Sequence, residues 1–269
     1  MAPGRWPRPH KEHLLATRSA VQEAGGQLSR YIRPEADVYR IKAINSELEK
    51  PMETTVNYHD DYSNSYREQL ANAILESKKL GFIRTSLISE QTHIPDKTLR
   101  ITNKLTQELL VLLDNKLPSY WGNSCQTLSS HFFAYLNSQG IAAEIILGNV
   151  IINGIDEFET TLESLQREVH ASESLPESLP EYQAVHAWVS LGDDTIIDAA
   201  LPPRLVKHYN APPQFNDMTL IGRASEMSVR YKLRYEPILV GSEFFAKTNP
   251  PDPMDLLNEL LKLPTPNHA

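Results

Sequence analysis

The order in which helical and strand patterns follow one another is the feature of this chain that most constrains its fold. Apolar residues recurring every three or four positions predict one helix from about residue 64 to Gly81 and a second from about 96 to 115. A third helix is predicted between Cys125 and Gly140, and the patterns after it are those of strands. Helices followed by an antiparallel sheet indicate an α+β fold.

Four segments after the third helix have strand patterns. The stretch "AAEIILGNVII" is rich in β-branched residues and predicts a buried strand. The stretches "AVHAWVSL" and "TIIDAA", joined by "GDD", predict a hairpin, and "SVRYKLRYEPILV" alternates well enough to predict one more strand. Before the hairpin, residues 153–183 carry eight acidic residues against Arg167 alone, which predicts a mobile surface insertion after a short helix at 156–168.

The other segments are predicted to flank one domain at 61–245. Residues 1–60 have broken helical periodicity, which indicates an N-terminal helical extension or a cap on that domain. The proline-rich stretch "LPPRLVKHYNAPPQFN" predicts a loop. The tail, residues 246–269, contains the amphipathic "MDLLNELLKL" and is expected to dock on the body of the protein as a short helix.

Charge and motif content argue against several classes of partner and cofactor. The 269 residues include 26 basic and 34 acidic side chains, and the net charge of −8 argues against nucleic acid or an anionic membrane as the main partner. The chain has no apolar run of membrane length and no secretory signal pattern, so a soluble, cytoplasmic protein is expected. It also lacks a phosphate loop, a dinucleotide fingerprint and a Gly-x-Ser-x-Gly elbow, and neither a cofactor nor a metal site is predicted.

Cys125, the single cysteine, has two interpretations. It stands in the first turn of the third predicted helix, behind Asn123 or Ser124 as the capping residue, and a helix N-terminus stabilises a thiolate. The thiolate is the nucleophilic form of cysteine. The other interpretation is a small buried hydrophobe, because Cys125 begins an apolar stripe at helical spacing. The remaining members of this stripe are Leu128, Phe132 and Leu136.

The predicted hairpin supplies an imidazole and a carboxylate. Alternation places His186, Trp188 and Ser190 on one face of the first strand, whereas the residues between them are apolar. The apolar row is expected to face the core, so that the row of His186 faces something else. On the second strand Asp198 stands between two apolar residues, an unusual position for a carboxylate that has no partner. Taken singly, each residue also fits a structural role.

The length of the turn decides whether His186 and Asp198 can meet. A three-residue turn would pair Leu191 with Thr195, and Asp198 would then lie opposite Trp188 and diagonal to His186, at about 7 Å between backbones. A two-residue turn would place the imidazole and the carboxylate on opposite faces of the sheet. A catalytic interpretation therefore requires the three-residue turn "GDD".

The stretches "GNSCQTLSSHFFAYLNSQGIAAEIILGNV" and "HAWVSLGDDTIIDAA" resemble the core of the transglutaminase-like cysteine enzymes. This superfamily includes transglutaminases, peptide N-glycanases and bacterial cysteine proteinases. The resemblance covers about residues 121–200. It implies a papain-like fold in which Cys125 is the nucleophile, His186 the base and acid, and Asp198 the residue that orients His186. Gly-Asn-Ser before the cysteine and Gln126 after it depart from the transglutaminase pattern.

The expected function is that of a thiol-dependent enzyme that forms an acyl intermediate on Cys125, a cysteine peptidase or amidase acting on a peptide or protein. The backbone N–H of Cys125 would be one donor to the oxyanion. Two alternatives remain open. Acyl transfer or deamidation at glutamine would use the same residues. A non-catalytic module could have kept the fold, with the N-terminal helices or the acidic insertion binding a partner. The sequence leaves the oligomeric state open.

Overall fold

The computed structural model describes residues 61–82, 88–91, 93–116, 125–173, 185–248 and 253–262. The helical extension predicted over residues 1–60, the capping residues Asn123 and Ser124, and residues 174–183 of the acidic insertion lie outside the described residues. The described α-helices are α1 (Asp61–Lys79), α2 (Asp96–Lys116), α3 (Cys125–Ser138), α4 (Leu162–Glu173), α5 (Leu201–Tyr209), α6 (Ala224–Tyr231), α7 (Glu243–Thr248) and α8 (Pro253–Lys262).

In the part of the chain that the structure describes, six strands form one antiparallel sheet. They are β1 (Glu144–Ile152), β2 (Ile155–Asp156), β3 (His186–Ser190), β4 (Thr195–Asp198), β5 (Leu220–Arg223) and β6 (Leu233–Val240). Strand β1 is central, because it pairs with β3 and β2 at its two ends along one edge and with β6 along the other. The hairpin β3–β4 continues the sheet to β5. This mixed architecture of helices and an antiparallel sheet is compatible with the α+β prediction.

Both faces of the sheet are covered by helices. One hydrophobic core lies between the sheet and α2, α3, α4, α7 and α8, and it contains the predicted apolar row of β3. A second core lies between the other face and α1, α5 and α6. Trp188 belongs to this second core, and His186 and Ser190 are buried on the same face. The expectation that the row of His186 faces something other than a core was wrong, because helices cover the second face of the sheet as well.

The predicted helices before the sheet are confirmed. Helix α1 ends two residues before Gly81, whose φ of +72° lets the chain leave the helix in a left-handed conformation. Helix α3 begins at Cys125 and is likewise followed by a glycine of positive φ, Gly140. The amphipathic helix predicted in the tail is α8, which packs against α3 through the buried Leu257 and Leu260. In the described residues, no helix has both the length and the apolar content needed to cross a membrane.

The loop predicted for the proline-rich segment was wrong in its first half, which forms α5. Pro202 and Pro203 lie in the first turn of this helix, where backbone N–H groups have no partner within the helix, so proline is tolerated there. Leu201 and Leu205 then place an apolar stripe against the second core. The pattern was misleading because prolines usually indicate a loop, whereas these two prolines lie at the start of a helix.

Two further boundaries differ from the predicted ones. The helix predicted at 156–168 begins at Leu162, because Asp156 pairs with the end of β1 and the Asn149 side chain binds the backbone of Thr160. The segment predicted as one strand after residue 227 begins as helix α6. Lys232, with a φ of +59°, ends that helix before β6 starts. Local alternation failed here because an amphipathic helix and a strand can share short apolar–polar patterns.

Candidate active site

The hairpin has the predicted three-residue turn. Strands β3 and β4 pair in the predicted register, with Val189 opposite Ile197. The turn is stabilised by Thr195, whose hydroxyl donates to the carbonyl of Gly192 (2.7 Å) and accepts from the N–H of Leu191 (2.9 Å). Gly192 has a φ of +102°, and a β-carbon there would lie 2.6 Å from the carbonyl oxygen of Ser89. Glycine at this position therefore permits both the positive φ of the turn and its close approach to the backbone of Ser89.

This register brings His186 and Asp198 together in the interior. Nε2 of His186 lies 2.6 Å from Oδ2 of Asp198, and each residue is only 2% exposed. A buried carboxylate needs several donors, and Asp198 has them. Its Oδ1 accepts the backbone N–H groups of Ala200 (2.9 Å) and Leu201 (3.0 Å), and its Oδ2 also accepts the hydroxyl of Tyr235 (3.0 Å). The carboxylate is thus fixed in one orientation.

Cys125 is the first residue of α3 and is half-buried at the edge of the first core. Its sulfur lies 3.4 Å from the carbonyl oxygen of Val185, the residue that precedes β3, and the thiol donates to that oxygen. One turn further along, Ser129 donates to the carbonyl of Ala187 (2.9 Å). These two bonds fix the start of α3 beside the start of β3, where His186 is located.

Both Asp198 and Cys125 influence the pKa of His186. Burial by itself lowers the pKa of His186, whereas the charge of Asp198 and the hydrogen bond to it raise this pKa. A hydrogen bond to Cys125 and the charge of its sulfur act in the same direction, and the pKa of His186 is raised above its ordinary value of 6.5. Because Nε2 is bonded to Asp198, the ring nitrogen left for Cys125 is Nδ1.

Aromatic rings surround the imidazole. Phe158 stacks on His186 with the ring centroids 4.9 Å apart and an interplanar angle of 13°. Trp188 and Tyr235 follow at 5.9 Å and 6.4 Å, and Nε1 of Trp188 donates to the hydroxyl of Tyr66 (3.2 Å). Trp188 is fully buried and belongs to the core. Sequence reasoning identified neither Phe158 nor Tyr235 as part of the site, because each comes from a segment that is not paired with the hairpin.

The surroundings of Cys125 bear on both interpretations of this residue. The stripe that begins with it is core, since Leu128, Phe132 and Leu136 are buried, yet the thiol itself is half-buried and next to an imidazole. His131, six residues further along the same helix, is also buried, and burial lowers its pKa to about 4, as expected of a packing residue. Among the described residues, no three acidic, histidine or cysteine side chains converge as metal ligands would.

No family model, curated protein or solved structure matches this chain. The indications of function therefore come from the geometry of the site itself. That geometry joins a half-buried thiol at a helix N-terminus, an imidazole with a raised pKa and a carboxylate bonded to the far nitrogen of the imidazole.

Tyr235→Phe is expected to lower the free energy of unfolding by about 1–3 kcal/mol, because it removes one donor from the buried carboxylate of Asp198. Tyr62→Phe is the comparison, because the hydroxyl of Tyr62 donates to a neutral acceptor, the Tyr235 carbonyl (2.8 Å). This substitution should lower the free energy of unfolding by less. Urea unfolding of both variants measures the difference. Equal losses of stability in the two variants would mean that the bond to Asp198 stabilises the fold no more than a bond to a neutral carbonyl does.

Proposed function

We propose that this protein is a thiol-dependent acyl-transfer enzyme, a cysteine peptidase or amidase with a papain-like, transglutaminase-like core. Cys125 is the nucleophile, His186 the acid and base, and Asp198 the residue that orients His186. The observation that supports this most is the 2.6 Å bond between Nε2 of His186 and Asp198, and Cys125 also forms a hydrogen bond with the same imidazole. This is the arrangement of nucleophile, base and orienting group that acyl transfer requires.

The chemistry follows from the raised pKa of His186. A protonated imidazole beside the thiol allows a thiolate–imidazolium pair, and the thiolate attacks the carbonyl carbon of an amide. As the C–N bond breaks, Nδ1 of His186 gives its proton to the leaving amine, and the acyl group remains on Cys125 as a thioester. The now neutral imidazole takes a proton from water, and the hydroxide formed attacks the thioester. The acid is released, and the proton held on His186 restores the resting pair.

The class of substrate is a peptide or protein amide. An amine in place of water would give a transglutaminase reaction with the same residues, and attack by water on a glutamine side chain would give deamidation. These reactions differ in the second nucleophile and in the position of the amide.

The experiment that tests the proposal is acylation by p-nitrophenyl acetate, which needs no knowledge of the natural substrate. We expect a burst of p-nitrophenolate equal to one acetyl group per chain, with the acetyl group located on Cys125 by peptide mass spectrometry. Cys125→Ala should abolish the burst, and Cys125→Ser should remove nearly all of it. A burst that survives in Cys125→Ala, or its absence in the wild-type protein, would contradict the proposed function and favour a binding module.

A further inference from the structure

Phe158 covers the imidazole of His186 from outside the hairpin. It lies in the segment 157–161, which connects β2 to α4, and its ring stacks on His186 at 4.9 Å. Phe158 is half-buried whereas His186 is almost completely buried, so the phenyl ring is the more exposed of the two. A small interplanar angle of 13° means that it covers a face of the imidazole rather than its edge.

The segment 157–161 is held in place by hydrogen bonds between its backbone and two side chains. The side-chain amide of Asn149, on β1, donates to the carbonyl of Thr160 (2.9 Å) and accepts its N–H (2.7 Å). Asp156 accepts the N–H groups of Phe158 (3.1 Å) and Glu159 (3.0 Å). These bonds satisfy the polar backbone of a short connection and fix the position from which the phenyl side chain leaves it.

A charged clamp fixes the segment from helix α5. Glu157 binds the guanidinium of Arg204 and the hydroxyl of Tyr209, which both belong to α5. Arg204 lies 5.2 Å from the centroid of the Phe158 ring, within the range of a cation–π contact. Because Glu157 balances the charge of Arg204, the clamp holds the phenyl ring without adding a net positive charge beside the imidazole of His186.

We propose, on the basis of the proposed function, that Phe158 is a positioning residue of the active site. Its ring holds the imidazole of His186 in the orientation that presents Nε2 to Asp198 and Nδ1 to Cys125, and it keeps water away from the His186–Asp198 bond. A rotation of the imidazole by 180° would exchange nitrogen and carbon positions and break both contacts. A stacked phenyl ring opposes that rotation, and excluding water strengthens the charged bond.

The test compares Phe158→Ala with Phe215→Ala in iodoacetamide alkylation of Cys125 over a range of pH. Phe215 is a matched control, since it is also half-buried and contacts one aromatic ring, Tyr231 (5.7 Å), on a different part of the protein. For Phe158→Ala we expect an alkylation rate about 3- to 10-fold lower on the acid side of the profile, and a shift of that limb by about 0.5 to 1 pH unit. Phe215→Ala should keep the wild-type profile.

Two further variants guard against an effect of folding alone. Phe158→Tyr keeps the ring and should restore the wild-type profile. Phe158→Leu, which covers part of the imidazole, should give an intermediate loss even if the alanine variant does not fold. A wild-type profile in both Phe158→Ala and Phe158→Leu would overturn the positioning role while leaving the proposed function intact. If alkylation of the wild-type protein does not depend on His186, the proposed function is wrong and this inference fails with it.

Discussion

Replacing Asp198 with alanine is expected to lower the free energy of unfolding by about 3–5 kcal/mol at neutral pH, because it breaks a buried charge pair from one side. The loss would leave the imidazolium of His186 without its acceptor at 2.6 Å. It would also leave the hydroxyl of Tyr235 and the backbone N–H groups of Ala200 and Leu201 without theirs. Each unsatisfied donor adds a cost of its own.

Chemical unfolding in guanidinium chloride measures this loss. Asp217→Ala is a suitable control, because Asp217 is an exposed aspartate outside the site, and its substitution should change stability by less than about 0.5 kcal/mol. A loss of under about 1 kcal/mol for Asp198→Ala would mean that the carboxylate is not the acceptor on which the local structure depends.

The stabilisation by this pair depends on pH in a direction that follows from the raised pKa of His186. The folded protein holds a proton on His186 that the unfolded chain loses near pH 6.5. The stabilisation is therefore fully present below that pH and is lost as the pH rises through the higher pKa of the folded state. The stability difference between the wild-type protein and His186→Gln should be larger at about pH 6 than at about pH 9. The opposite trend would mean that burial lowers the pKa of His186.

His186→Gln is expected to lower the rate of acylation of Cys125 by p-nitrophenyl acetate by about 10²- to 10⁴-fold at neutral pH, because the variant lacks the acid and base. Glutamine is chosen over alanine since His186 is buried among three aromatic rings, and a smaller residue would leave a cavity. The amide of glutamine can also donate to Asp198, so that loss of structure is limited.

His208→Gln is the matched control for this substitution. His208 is exposed in the last turn of α5, and its replacement should leave the acylation rate within a factor of two of wild type. Circular dichroism should show the same fold in the three proteins. An acylation rate in His186→Gln close to that of the wild type would mean that another group activates the thiol.

The parts of the site that depend on local rules were predictable from the sequence. A helix beginning at Cys125 follows from helical periodicity and from Gly140 as its end, and both are confirmed. The contact between His186 and Asp198 follows from the three-residue turn. Shifting the register of the two strands by one residue would move one of these side chains to the opposite face of the sheet, so only a turn of the right length brings them together.

The parts that depend on distant segments were not predictable in the same way. Tyr235 reaches Asp198 from β6, which pairs with β1 and not with the hairpin, and Phe158 reaches His186 from a connection with no strong pattern of its own. Burial of the sheet face that carries His186 was not predicted. The amphipathic stripe of α1 indicates that this helix packs against the protein, but it does not indicate which face of the sheet the helix covers. Helix α5 was missed because Pro202 and Pro203 mark a loop and a helix start equally well.

The pH dependence of Cys125 alkylation by iodoacetamide tests the central claim most directly, namely that Cys125, His186 and Asp198 act as one unit. Rates measured from about pH 4 to pH 10 follow the ionised fraction of the thiol, and an ordinary thiol ionises near about pH 8.5. We expect the wild-type protein to react well below that pH, and His186→Gln to react as an ordinary thiol does. Wild-type and variant profiles that coincide near the curve of an ordinary thiol would contradict the account.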